Sequence, residues 1–125
     1  AKRRLRPDMG VRLSVGGRQL VWFVEVDRGT EGLRRIRSKG RQYLEYWRTG
    51  QEQQRLGGVF PKVLWSVPDR RRQELLLRTL GELPPPAGQM FVVSTAEDSA
   101  AVLVGDAVSE DVDEEAINGT GGEGT

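Results

Sequence analysis

The 125-residue sequence contains no cysteine and no histidine. Without them a zinc finger or ribbon, a haem or iron–sulfur ligand set and a disulfide framework are all excluded. A Cys nucleophile is excluded too, as is a Ser-His-Asp triad, whose base is missing. Any metal must be held by oxygen, which favours a hard cation such as Mg2+, with Mn2+ as a substitute. No apolar run approaches the ~18–20 residues of a membrane span, and the start lacks the n-region/h-region pattern of a secretory leader. The missing cysteines give no sign of an oxidising compartment, so a cytoplasmic location is expected. The chain starts at Ala1 rather than Met, which fits either processing or a piece of a longer protein.

Positive charge is missing from the last third. All 19 basic residues lie between Lys2 and Arg78, while seven of the 18 acidic residues lie after residue 105. Residues 1–105 therefore carry +8 and the remainder −7. A basic body points to a polyanionic partner, most simply DNA. The competing reading is a solvated, arginine-rich surface with no partner. Residues 1–105 are expected to form one domain. Residues 106–125 have little to bury and are expected to be a disordered acidic tail that competes with DNA for the basic face.

The alternation in residues 11–15 and 18–26, joined by Gly16-Gly17, predicts a β-hairpin, because two glycines suit a turn that needs positive φ. A short extended piece, residues 5–9, leads into it, with Gly10 as a break. Thr30 is the expected N-cap of a helix running to about residue 48, with Leu33, Ile36, Gly40, Tyr43, Leu44 and Trp47 on its inner stripe. Its other face carries Arg34, Arg35, Lys39, Arg41 and Arg48. A polar connection follows, then a buried strand over residues 62–67. Pro68 and Asp69 open a second helix that reaches Leu80. Residues 90–94 read as a further strand, and residues 101–104 as a last one. The order predicts an α/β domain with a small mixed β-sheet and flanking helices.

In residues 21–27, alternation puts Val21, Phe23, Glu25 and Asp27 on one face, and Trp22, Val24 and Val26 on the other. Glu25 interrupts an apolar run, and a lone acid there is costly unless it gains a cation or donors. Asp8 is placed to approach Glu25 from the neighbouring extended segment, and Lys39 to reach back from the following helix. Carboxylates so grouped, with a lysine at the edge, are suited to holding a divalent ion over a phosphodiester. Each residue also has a plainer reading. Asp8 is a turn former, Asp27 helps cap the helix, Glu25 sits in a buried ion pair with an arginine, and Lys39 is solvated. Arg34, Arg35, Arg37 and Arg41 form the better phosphate-contacting surface.

Arg6-Pro7-Asp8, the run from Phe23 through Glu31 containing Glu-Val-Asp-Arg-Gly-Thr-Glu, Lys39, Tyr43, residues 60–64 and the Val-Pro-Asp strand end together resemble the plasmid replication-relaxation family. The resemblance covers about residues 5–80. It implies a protein of plasmids or other mobile elements that works on DNA. The layout is also similar to the PD-(D/E)xK nuclease superfamily, implying a restriction-endonuclease-like fold. On that resemblance Asp8 and Glu25, with Asp27 as a further ligand, would bind magnesium. The lysine normally found where Asp27 stands would come from the next helix, as Lys39. The leading expectation is a DNA-binding, nuclease-like domain with metal-dependent phosphodiester cleavage as its chemistry, and a homodimer as one assembly. The alternatives are a non-catalytic DNA-binding or regulatory module, and a protein-interaction domain with a basic face.

Overall fold

The computed structural model describes residues 5–105. The acidic segment 106–125, on which the tail expectation falls, and Lys2, Arg3 and Arg4 lie outside the described residues. Among the described residues four strands form one sheet in the order β1-β2-β3-β4: β1 (Met9–Val15), β2 (Arg18–Val26), β3 (Lys62–Val67) and β4 (Phe91–Thr95). β1 and β2 are antiparallel, while β2, β3 and β4 run parallel. The sheet is mixed and open, with helices over it, as expected. Gly16 and Gly17 turn the hairpin at φ of 58° and 79°, a pair of left-handed residues that matches the twist of the flanking strands.

Alternation decides the two faces. On one, Phe23, Val63, Trp65, Phe91 and Val93 pack beneath α1 (Leu33–Thr49) and α3 (Arg70–Gly81). On the other, Trp22, Val24 and Leu64 form a smaller cluster with Val11, Leu13, Val92, Val102 and Leu103. Val102 and Leu103 belong to α5, a helix over residues 96–105. The strand expected at residues 101–104 is therefore the end of a helix. Ser99 fastens that helix to the sheet: its Oγ lies 2.7 Å from Ser94 Oγ and 2.8 Å from Ser66 Oγ.

Three other local expectations are corrected. Gly10 does not break the first strand, because β1 runs through it from Met9. The N-cap of α1 is Gly32, not Thr30, since the turn around Gly29, at φ 81°, delays the helix. The polar connection holds a short helix, α2 (Gln51–Arg55), built around a buried Glu52 that accepts from Tyr46 at 2.8 Å and pairs with Arg55 at 2.9 Å. A one-turn helix, α4 (Ala87–Met90), leads into β4. At the start of α3 the Asp69 side chain accepts from the Arg72 N–H at 2.8 Å, a capping bond that satisfies one of the orphan donors of the first turn.

Candidate functional site

The carboxyl end of β2 collects the polar groups that the sequence singles out. Glu25 and Asp27 lie on the helix-covered face, 2% and 6% exposed. That burial demands compensation, and each carboxylate receives it from a different helix. Lys39 of α1 places Nζ 2.7 Å from Glu25 Oε1, and the Tyr43 hydroxyl, one turn further on, donates to Oε2. Positions 39 and 43 share a helix face, so one stripe of α1 delivers both partners. Burial is the largest influence on Glu25 and pushes its carboxyl above the ordinary range, against the pull of Lys39 and Tyr43. For Lys39, burial works downward, but the hydrogen bond and charge of Glu25 outweigh it and hold the ammonium above its ordinary value. Burial and the adjacent Glu25 carboxylate raise Tyr43, so its hydroxyl stays a donor.

Asp27 is held by Arg72 of α3. Arg72 Nε donates to Oδ2 at 2.6 Å and Nη2 to Oδ1 at 2.9 Å, a bidentate, charge-assisted geometry. The same Nη2 donates to the Glu31 carbonyl at 2.8 Å. Arg72 therefore clasps the β2–α1 loop to the start of α3. Gly29 completes this turn: its φ is positive, and a Cβ there would come within 3.3 Å of Pro68 Cγ. Glu31 pairs with Arg35 at 2.7 Å. The Glu-Val-Asp-Arg-Gly-Thr-Glu run thus reads in three dimensions as a buried ion pair, a clasp, a tight turn and a surface pair.

Asp8 stands beside Glu25. The β1–β2 register pairs Met9 with Val24, and one further step sets Asp8 across from Glu25. Its Oδ2 accepts from the Val26 N–H at 2.7 Å, and its charge acts on Glu25, Lys39 and Tyr43. The structure thus brings Asp8, Glu25 and Lys39 together, and commits Asp27 to Arg72. Among the described residues no group of three or more carboxylates gathers where a metal ion could sit. Both Glu25 oxygens are engaged by Lys39 and Tyr43. In this arrangement the donor set does not fit magnesium.

The arginines divide similarly. Arg34 and Arg41 are exposed on α1. Arg35 is tied to Glu31, and Arg37 is tied to Glu82 at 3.0 Å. Arg48 continues the stripe of Arg34 and Arg41, while Arg70, Arg71 and Arg78 are exposed on α3. Two partners escape a reading of the sequence. Tyr43 belongs there to the family pattern and the inner stripe, with no sign that its hydroxyl serves Glu25, and Arg72 lies 45 positions from Asp27, beyond any local pattern. The one signal for Arg72 is its place just inside a helix that opens at a strand's carboxyl end.

No helix among the described residues is long and apolar enough to cross a membrane. No curated protein and no solved structure matches the chain. The model of the replication-relaxation family matches residues 1–63, the span that holds the hairpin, Glu25 with its partners Lys39 and Tyr43, Asp27 without its partner Arg72, all of α1 and the first residues of β3. The chain belongs to the replication-relaxation family.

Proposed function

We propose that this domain binds DNA in the replication of a plasmid or other mobile element, through the arginine surface of α1. One observation carries the reading. Arg34, Arg41 and Arg48 are exposed and recur every seven residues, so they align in a stripe about 21 Å long on a rigid helix. Arginine forks on such a stripe suit a row of phosphates, which position a protein on a duplex without reading its sequence. Glu25 and Asp27 serve this surface indirectly, fixing α1 and its entry loop against the sheet. A band-shift titration of duplex DNA at low salt tests it. Binding by the full chain that is lost in the Arg34→Ala/Arg41→Ala variant supports the surface, and equal binding by both refutes it.

Metal-dependent cleavage is a second reading, favoured by the meeting of Asp8, Glu25 and Lys39. Because Glu25 is fully engaged and Asp27 is held by Arg72, no catalytic step is assigned to the site. Turnover that requires magnesium or manganese, stops with a chelator and disappears in Glu25→Gln would establish it. Intact DNA under both metals would leave the binding role alone.

A further inference from the structure

β1 forms one edge of the sheet and β4 the other. β1 is the longer, seven residues against five, and among the described residues no strand pairs with its outer side. Natural sheets guard such an edge with proline, a bulge, a covering element or charge, because its unpaired N–H and C=O groups invite another strand. β1 has no proline, its register with β2 runs without a bulge from Met9 to Val15, and its one charge is the exposed Arg12. The direction of its backbone groups follows from β2. The Asp27 N–H donates toward β3, to the Ser66 carbonyl, while the Val26 N–H donates to Asp8, on the β1 side. Even-numbered residues of β2 therefore serve β1, and their partners there are odd-numbered, as Met9 is opposite Val24. Gly10, Arg12 and Ser14 accordingly turn their N–H and C=O to the open edge. Met9, Val11 and Leu13 alternate with them on the face away from α1, with Val11 and Leu13 half-buried and Met9 48% exposed.

We propose that a second copy of this chain adds to that edge, β1 against β1 and antiparallel, with the two-fold axis at Val11. A two-fold axis brings the same surface of both copies together, and the side chains choose the register. Centring the pair on Arg12 sets two guanidiniums directly opposite, which is destabilising. Centring it on Leu13 pushes Met9 against the partner's turn, and centring it on Gly10 shortens the overlap to Met9, Gly10 and Val11. Centred on Val11, Arg12 faces the partner's Gly10, which has no side chain, and its guanidinium reaches diagonally toward the partner's Asp8. Gly10 and Arg12 then exchange backbone hydrogen bonds across the axis. Val11 meets the partner's Val11 and Met9 meets the partner's Leu13, so apolar side chains left part-exposed in one copy cover each other. Asp8 acts on Glu25 and Lys39, so the partner's Arg12 joins the polar cluster at the carboxyl end of β2. Paired residues share a face, and both copies of α1 therefore lie on the same side of the joined sheet.

Sedimentation equilibrium of the full chain without DNA tests the assembly, and the mass is expected to rise with concentration from 13.9 kDa toward twice that value. Cross-linking reads the register, cleanly because the chain has no cysteine of its own. Opposed residues of a non-hydrogen-bonded pair stand about 4.5 Å apart at Cα, within the ~4.4–6.8 Å span of a disulfide. Val11→Cys is therefore expected to give a covalent dimer on mild oxidation. Leu13→Cys is not, because its two copies lie about 13 Å apart along the strands. Gly10 gives a second test that spares the monomer, since a Cβ there meets nothing within 4 Å. Gly10→Arg sets a like charge opposite the partner's Arg12 and Gly10→Glu an opposite one, so the first is expected to dimerise about tenfold more weakly than the second. The mass of one chain at every concentration would overturn the proposal and leave the edge to a different partner. Cross-linking of Leu13→Cys in preference to Val11→Cys would overturn it too, as would equal dimerisation by the two Gly10 variants. Because no DNA is present, failure here is distinct from failure of the α1 surface.

Discussion

Glu25 illustrates how a single residue is made tolerable in an apolar strand. Its two oxygens are divided between an ammonium and a phenol from one helix face, and burial still leaves its carboxyl above the ordinary range. The pair is therefore sensitive to loss of either member, because a buried charge without its partner costs more than the pair gains. Lys39→Ala is expected to destabilise the fold by about 3 kcal/mol near neutral pH. The sign with pH follows from the raised carboxyl. A group that holds its proton more tightly when folded favours the folded state below its folded pKa, and that contribution disappears as pH rises through it. Removing Lys39 raises Glu25 further, so the variant recovers on acidification as Glu25 becomes neutral. Urea denaturation at pH 7 and near pH 4.5 checks this: the gap between variant and parent is expected to shrink at the lower pH. An unchanged gap would mean that Lys39 contributes packing rather than charge.

At the scale of elements, α1 and α3 are brought together by the absence of a side chain. A Cβ on Gly40 would stand 2.6 Å from Leu83 Cδ1 and 3.0 Å from Leu80 Cδ2. Gly40→Ala gains about 1 kcal/mol of helix propensity but overpacks the contact by about 1–3 kcal/mol. A net loss of about 1 kcal/mol is expected in thermal or urea unfolding; a gain would show that Leu80 and Leu83 repack freely. Gly40 on the inner stripe is legible in sequence, and so are the two faces of β2 and the full extent of β3, because strict alternation and a compact apolar run are local signals. Other elements are not. Residues 101–104 form an apolar run that mimics a strand, while the acids Glu97 and Asp98 at its head are the helix-start signal. α2 is polar along its length and owes its place to Glu52. The convergence of Asp8, Lys39 and Glu25 follows from hairpin register and helix spacing, whereas the Asp27–Arg72 clasp depends on where α3 docks. No spacing in the sequence encodes that.

Across the whole molecule, charge is segregated along the chain, +8 before residue 106 and −7 after it. An acidic segment tethered to a basic domain competes with any polyanion through its own high local concentration. Deleting residues 106–125 is expected to tighten DNA binding, most at low salt, where the ~10 Å screening length at 0.1 M is lengthened. Equal affinities across a salt series would make that segment a passive one.

The same salt series on the duplex tests the central claim, that exposed arginines of α1 form the DNA-binding surface. Each phosphate neutralised on duplex DNA contributes about 0.9 to the slope of log affinity against log salt. Measured for the full chain and for Arg34→Ala/Arg41→Ala, the slope is expected to fall by about 1.8 in the variant, with affinity lowered for every sequence alike. An unchanged slope, or no duplex binding by the parent at low salt, would contradict the account.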